Sequence, residues 1–324
     1  MSRIMDGKAF ANKIKNQIAK WIERDLSRKP QLLIITIGED DASKVYVRNK
    51  MRAAEEVGIE ASHWIYSSDD YWNGMVDDDF NSGFPDFDAV ILQLPVPSYV
   101  NAGDLIEKIP YWKDVDGLTM AQKGRFEAIP NRCHIMDALV PCTPQGIIEL
   151  IDEYVDFDNL KGKNALVIGR SELVGKPVAK MLLDMDMTVT IAHSKTPRYE
   201  LLQAFANADL VVSAAGRQNL ITEEDALQFW KDNRHYICDS FEFKRKRVIV
   251  DVSINRDENG KLCGDFSEEF KQKYSECYTP VPGGVGPMTV AMLMFNTYLA
   301  AKRGEFYENK ERKKELTEEW KRYI

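Results

Sequence analysis

Apolar positions along this chain change period several times, and the changes divide it into elements. LLIITI (32–37) is a continuous, β-branched apolar run, the mark of a strand buried on both faces. EASHWIY (60–66) and the run inside DAVILQLPVP, closed by two prolines, predict two more strands. Between the first two lies SKVYVRNKMRAAEEVG, in which Val47, Met51 and Ala54 follow the helical period. Ser43 as N-cap and Gly58 as the stop predict one helix of about four turns. Ser43, Tyr46 and Lys50 then share a face beside the apolar one. TPQGIIELIDEYV (143–155) predicts a helix capped by Thr143, with Pro144 at its first position. Phe10, Ile14, Ile18, Trp21 and Ile22 recur at helical spacing with lysines between them, which predicts a plain first helix rather than a secretory signal.

The pattern restarts near residue 150. NALVIG (164–169), TVTIAHS (188–194), ADLVVSAAG (208–216) and RVIVDVSI (247–254) predict four strands, with a helix around VAKMLLDM after the first. Strand, helix, strand at this spacing means βαβ units on a parallel sheet. The fold class is therefore α/β in two lobes. The last strongly apolar helix, VAMLMFNTYLAA (290–301), has no strand after it and is expected to return to the first lobe. The tail from Lys302 to Ile324 is mostly charged and reads as a solvated terminal helix, or alternatively as a contact arm for a partner.

Composition narrows the function classes. The 324 residues are 44% hydrophobic and 29% charged, with a formal charge of −8 and a pI near 5.3. That balance gives no support to nucleic acid or an anionic membrane as partner. No apolar run approaches the roughly 20 residues of a membrane span. Cys133, Cys142, Cys238, Cys263 and Cys277 form no C-x-x-C pair, and His63, His134, His193 and His235 are scattered. Neither a disulfide framework nor a metal site is expected, and a reducing compartment fits.

GKNALVIGRSELVGKP places a strand, then Gly169, Arg170, Ser171 and Gly175, then a helix. This is the context of a dinucleotide-binding turn, where glycine admits the pyrophosphate to a helix N-terminus. The spacing is not G-x-G-x-x-G, so the pair could also be only a turn. An NAD site usually places an acid about 20 residues on, for the ribose 2′-hydroxyl. Here the next strand ends in His193-Ser194-Lys195-Thr196, without an acid. Ser194 and Arg170 would suit a 2′-phosphate, hence NADP. The alternative is that Arg170 and Lys195 are surface charges.

Seven motifs occur in order: Y-V-R-N-K, Q-L-P, K-D-V-D-G, P-C-T-P-Q-G, G-R-S-x-x-V-G-x-P, T-V-T-x-x-H-S-K-T and T-P-V-P-G-G-V-G-P-M-T. From about residue 4 to about residue 301 the chain closely resembles the bifunctional methylenetetrahydrofolate dehydrogenase/methenyltetrahydrofolate cyclohydrolase family. The resemblance implies a catalytic folate-binding lobe of residues 1–150 completed by a helix over 286–303. It implies a Rossmann-like NADP-binding lobe over 151–285, leaving 304–324 as a charged C-terminal extension. It also implies a cytoplasmic homodimer acting on tetrahydrofolate derivatives. The implied reactions are NADP-dependent oxidation of 5,10-methylenetetrahydrofolate to the 5,10-methenyl cation and hydrolysis of that cation to 10-formyltetrahydrofolate. By the same resemblance Lys50 matches the catalytic lysine, Tyr46 the folate-stacking tyrosine, Gln93 the lysine's hydrogen-bond partner and Asp116 the pterin anchor. Ser43, Pro282, Gly283 and Gly286 match substrate-lining positions. Gly169, Arg170, Ser171, Gly175, Ser194, Ile254 and Thr289 match the cofactor side, and Gly284 belongs to the same loop as Gly283.

Three departures from the pattern stand out. Ser253 occupies a position where the family usually has glycine, Gln122 one where it usually has asparagine, and HYICDSFEFKRKR (235–247) replaces a shorter approach to its strand. Two rival readings follow: a folate-binding protein with weakened or lost turnover, hinted at by Ser253, and a Rossmann dehydrogenase of an amino or hydroxy acid. The second has no His–acid proton relay in the sequence to support it and would leave the folate-side motifs without a purpose.

Overall fold

The computed structural model describes residues 2–38, 41–129, 138–233 and 247–308. Cys133, His134, His235, Cys238, nearly all of the 235–247 segment and the tail beyond 308 lie outside the described residues. The strands, in chain order, are β1 (Arg3–Ile4), β2 (Gln31–Ile37), β3 (Glu60–Tyr66), β4 (Ala89–Leu92), β5 (Asn164–Ile168) and β6 (Thr188–Ala192). They continue with β7 (Leu210–Ser213), β8 (Val248–Asp251), β9 (Asn255–Arg256), β10 (Leu262–Cys263) and β11 (Cys277–Tyr278).

The chain forms two compact units. One comprises Asn12–Cys142 and Val290–Ile324. Its sheet is parallel, in the order β3-β2-β4. β2 is buried along almost its whole length, as the β-branched run requires. Leu33, Ile35, Val90 and Leu92 pack from the sheet against Phe80, Phe84 and Leu105. The helix Asp41–Val57 connects β2 to β3 and buries Val47 and Ala54. It starts two residues before Ser43, so Ser43 lies inside the helix and is not its cap. It ends where expected, with Gly58 at φ 83°, in the left-handed region that glycine adopts without strain.

The C-terminal helix runs Val285–Glu308 and therefore includes the first residues of the charged segment. Its later half packs on the first helix, Gly7–Asp25. Trp21 stacks on Tyr298 with ring centroids 5.8 Å apart. Asp25 accepts hydrogen bonds from the Tyr298 hydroxyl at 2.5 Å and the Lys302 amine at 2.8 Å. Burial works against the Asp25 charge, but Arg24, Lys302 and Tyr298 together hold its carboxyl well below the usual range.

The other unit comprises Met1–Ala11 and Thr143–Thr289. Its six-stranded sheet is parallel throughout, in the order β1-β11-β8-β7-β5-β6. β7 and β8 are buried at every position, whereas the edge strand β6 exposes Thr188, Thr190 and Ile191. The first residues of the chain, placed with the first lobe by the sequence reading, supply β1 to this sheet. The helix Cys142–Tyr154 starts one residue earlier than expected, so Thr143 is a helical residue and not the cap.

Asp251 closes β8 and is buried. It accepts the backbone N–H groups of Asp265 and Phe266, both at 3.0 Å. The backbone passes so close that a Cβ on Gly264 would fall 2.0 Å from an Asp251 oxygen. Burial pushes the Asp251 carboxyl up to about 6, against those two donors. Among the described residues no helix is long and apolar enough to cross a membrane.

Two stability predictions follow from these carboxylates. The depressed Asp25 stabilises the fold above the unfolded value near pH 4, and this contribution is lost as pH falls through its lower folded value. Asp25→Asn should therefore cost about 1–3 kcal/mol near neutrality, shrinking in acid, in urea titrations read by tryptophan fluorescence. Asp251 has the opposite sign. Its contribution is fully present below about pH 4 and is lost as pH rises through about 6, with a ceiling of about 3 kcal/mol. Asp251→Asn should flatten the pH dependence of unfolding across that window, and parallel parent and variant curves would refute the assignment.

Candidate functional site

The first site lies at the carboxyl end of the three-stranded sheet, where parallel α/β sheets display their chemistry. Gln93 follows β4 directly, and its backbone N–H donates to Ile35 of β2 at 2.8 Å. That bond fixes where the side chain emerges. Lys50, two turns into the Asp41–Val57 helix, donates from Nζ to Gln93 Oε1 at 2.9 Å. Gln93 Nε2 donates in turn to the Leu94 carbonyl at 2.6 Å. The amide orientation is thus set by its own backbone, and a neutral acceptor is turned towards the amine. Tyr46, one turn earlier, is 45% exposed, so its ring has a face open to a ligand. Ser43 belongs to the same helix, and its side chain lies outside what the structure describes.

Asp116 sits in the turn after Asp114 and Val115 and is partly buried. The two acids of K-D-V-D-G have different work. Asp114 is buried and accepts the Thr119 N–H at 2.7 Å, holding the start of the helix Met120–Ala128. Gly117 has φ 70°, and a Cβ there would come 2.8 Å from the Leu139 carbonyl. Gln122 is buried beneath this turn, donating to the Tyr111 carbonyl and accepting the Leu139 N–H at 3.1 Å. Its departure from the family pattern is thus a matter of loop packing.

Two residues here escaped the sequence reading. Cys142 donates from Sγ to the Val115 carbonyl at 3.2 Å. Burial raises its thiol pKa strongly, Asp116 beside it adds to the rise, and Lys50 opposes it. Cys142 therefore stays a neutral thiol between a carboxylate and an amine. Asn296, fully buried on the C-terminal helix, donates from Nδ2 to the Val115 and Val140 carbonyls, both at 2.8 Å. It ties together the strands of chain on either side of Asp116 and Cys142. A lone Asn within an apolar helical run gives no sequence signal of this task.

The second site belongs to the other unit. A cavity of 420 Å³ opens at the carboxyl ends of β5, β6 and β7. Gly169, Arg170, His193, Ser194, Thr196, Arg198, Ala214, Ala215 and Arg217 line it with Ile168, Leu201 and Leu220. Gly169 has φ 131°, and a Cβ on it would meet the Ala214 carbonyl at 2.6 Å. A Cβ on Gly175 would meet the Gly169 carbonyl at 2.4 Å. Both glycines are forced by backbone approach. Ser171 accepts the N–H groups of Val174 and Gly175 at 3.2 and 3.3 Å, so its hydroxyl shapes the turn.

Of the expected cofactor residues, Gly169, Arg170 and Ser194 line the cavity. Ser171 and Gly175 build the turn behind it. Ile254, 45% exposed, and Thr289 are not among its lining residues. Thr289 instead pairs its hydroxyl with Thr143 at 3.0 Å. Pro282, Gly283 and Gly284 form the turn before the C-terminal helix, and Gly286 lies in that helix's first turn. The Gly283 carbonyl accepts the Lys8 N–H at 2.9 Å, and Gly284 packs so closely on Gly7 that a Cβ on Gly7 would overlap its carbonyl.

The cavity carries three guanidinium groups and no carboxylate among its lining residues. Arg198 is partly committed: it donates to the Leu220 carbonyl at 2.7 Å and pairs with Asp225. Arg217 was not anticipated, because it comes from a strand end with no motif of its own. A hydroxyl-rich, cationic pocket under a glycine turn fits a phosphorylated dinucleotide. Among the described residues no cluster of three His, Cys, Asp or Glu could hold a metal ion.

Both halves of the chain match known protein domains. Residues 5–116 match the catalytic domain of tetrahydrofolate dehydrogenase/cyclohydrolase, and residues 141–229 and 233–305 match its NAD(P)-binding domain. The bifunctional protein FolD of Streptococcus thermophilus is 40% identical over 309 residues, covering 94% of this chain and 99% of that protein. The FolD methylenetetrahydrofolate dehydrogenase/cyclohydrolase of Campylobacter jejuni superimposes with a TM-score of 0.79 at 32% identity, covering 94% of this chain and 99% of that one. The Trypanosoma brucei enzyme, solved with NADP and an inhibitor, gives 0.79 at 29% identity, covering 94% and 98%. This chain belongs to the tetrahydrofolate dehydrogenase/cyclohydrolase family.

Proposed function

We propose that the protein oxidises 5,10-methylenetetrahydrofolate with NADP and hydrolyses the resulting 5,10-methenyl cation to 10-formyltetrahydrofolate. The observation that carries this reading is the Lys50–Gln93 pair, held at a strand's carboxyl end by the helix that also carries Tyr46. We assign residues 12–142 with the C-terminal helix from Val290 to folate, and residues 1–11 with 143–289 to the dinucleotide, in a cytoplasmic homodimer.

The residues divide the chemistry between them. Tyr46 stacks on the folate and holds its reacting carbon in place. Asp116 accepts hydrogen bonds from the pterin ring, which selects folate among flat ligands. Gly169 lets the backbone approach the pyrophosphate, and Arg170 and Ser194 face the 2′-phosphate. NADP, when bound, accepts the hydride. Hydride transfer needs ring alignment and no strong acid or base. Hydrolysis needs water activated and protons moved, and Lys50 is placed to carry them. Gln93 orients the amine without adding a charge. By the family resemblance, Pro282, Gly283 and Gly286 are assigned to folate, and Ile254 and Thr289 to the nicotinamide.

Initial rates with NADP and NAD, following methenyl absorbance and its decay, test both activities together. Absence of methenyl formation with either cofactor would leave only a folate-binding protein. Lys50→Met keeps the apolar stem, so it should nearly abolish hydrolysis while measurable dehydrogenase activity persists and methenyltetrahydrofolate accumulates. Hydrolysis at the parent rate would remove Lys50 from its role. Arg170→Ala should cost about 1–3 kcal/mol in NADP binding and leave NAD binding nearly unchanged, as calorimetry would measure.

A further inference from the structure

The cavity wall contributed by the turn after β7 is held from behind by a buried pair. Asp265 is fully buried. Its Oδ2 accepts the Ser213 hydroxyl at 2.6 Å, the Ser253 hydroxyl at 2.8 Å and the Ala215 N–H at 3.0 Å. Its Oδ1 accepts the Arg217 N–H at 2.8 Å and the Asn255 amide at 3.1 Å. The one N–H between them, that of Gly216, goes to Ser253 Oγ at 2.9 Å. Three consecutive amides, 215 to 217, are thus consumed by one carboxylate and one hydroxyl. With Ala214 before them, Ala215 and Arg217 are the residues this turn presents to the cavity.

We propose that Ser253 is a positioning residue for the dinucleotide: by accepting from Gly216 and donating to Asp265 it completes the clasp that sets where Ala215 and Arg217 stand in the cavity. Ser253 lies outside the cavity lining and need not touch the ligand. Without its hydroxyl, the Gly216 N–H loses its acceptor, and Gly216, at φ 64°, is the residue of the turn most free to reorient. The turn would then sample positions in which the wall no longer matches the ligand, and binding would carry the cost of reordering it. The inference rests on the cofactor reading given above.

The test uses the full-length protein and NADPH as probe, titrated by fluorescence, with parent, Ser253→Ala, Ser253→Gly and Ser253→Thr. Loss of one hydrogen bond to an ordered turn should raise the Kd for NADPH and the KM for NADP about fivefold in the Ala and Gly variants. The KM for folate, kcat at saturating NADP and the rate of methenyl hydrolysis should stay within about twofold of the parent. Hydrogen exchange at the 215–217 amides should accelerate. Ser253→Thr, which keeps the hydroxyl, should restore affinity. Parent-like NADPH affinity in both the Ala and Gly variants overturns the proposal. So does a uniform fall in folate affinity, NADPH affinity and thermal stability, the signature of a merely structural residue. A parent that does not bind NADPH overturns the cofactor reading and this inference with it, whereas a binding parent with unaffected variants overturns this inference alone.

Discussion

The turns around Asp116 and after β7 have to bury main-chain N–H and C=O groups away from any ladder, and unpaired groups of that kind are costly. The molecule meets this constraint with a few buried polar side chains, each taking one or two backbone groups. Asn296 takes the Val115 and Val140 carbonyls. Asp114 takes the Thr119 amide, and Gln122 links the Tyr111 carbonyl to the Leu139 amide. Asp251 takes the Asp265 and Phe266 amides, and Asp265 with Ser253 takes those of Ala215, Gly216 and Arg217. Removing one such side chain strands its partners inside, which is why these residues govern the site without entering it.

The same constraint explains which parts of the structure could be read from sequence. The long parallel strands announce themselves because both faces are buried, so β2, β5, β7 and β8 are uninterrupted apolar runs. β1, β9, β10 and β11 are two residues each, too short for any period to register. Membership of β1 in the larger sheet depends on the pairing of Arg3 with Cys277 across most of the chain's length, which no local pattern encodes. Helix starts were displaced by one or two residues because a serine or threonine near a helix start caps it only when its backbone stays extended, and Ser43 and Thr143 are already helical.

The site divides along similar lines. Lys50, Gln93 and the glycines at 169 and 175 stand in motifs whose residue types follow from the chemistry they support. Ser171 belongs to its motif for a different reason, since its hydroxyl serves the turn. The clamps are invisible in sequence. Asn296 interrupts an apolar helix, and Asp265 follows a glycine in a loop, and in both cases backbone atoms that carry no residue identity are among the partners.

The charges around Lys50 show why the clamps matter for chemistry. The amine is held by a neutral amide, and the nearest thiol is kept neutral by burial. On the proposed function, Asp116 is then the carboxylate this site offers to the pterin. Were an acid at position 93, the amine would be engaged in an ion pair and less free to exchange protons with water. Were Asp116 to swing towards the amine, the same would follow, and the pterin would lose its acceptor. Keeping these two groups apart is a demand on backbone placement, because the amine is only a side chain's length from its helix and the carboxylate from its turn. Gln93 is fixed through the Ile35 carbonyl, and the chain around Asp116 through Gly117 and Asn296. On the proposed roles of Asp116 and Lys50, the separation of anchoring from proton transfer therefore rests on buried hydrogen bonds such as those of Asn296.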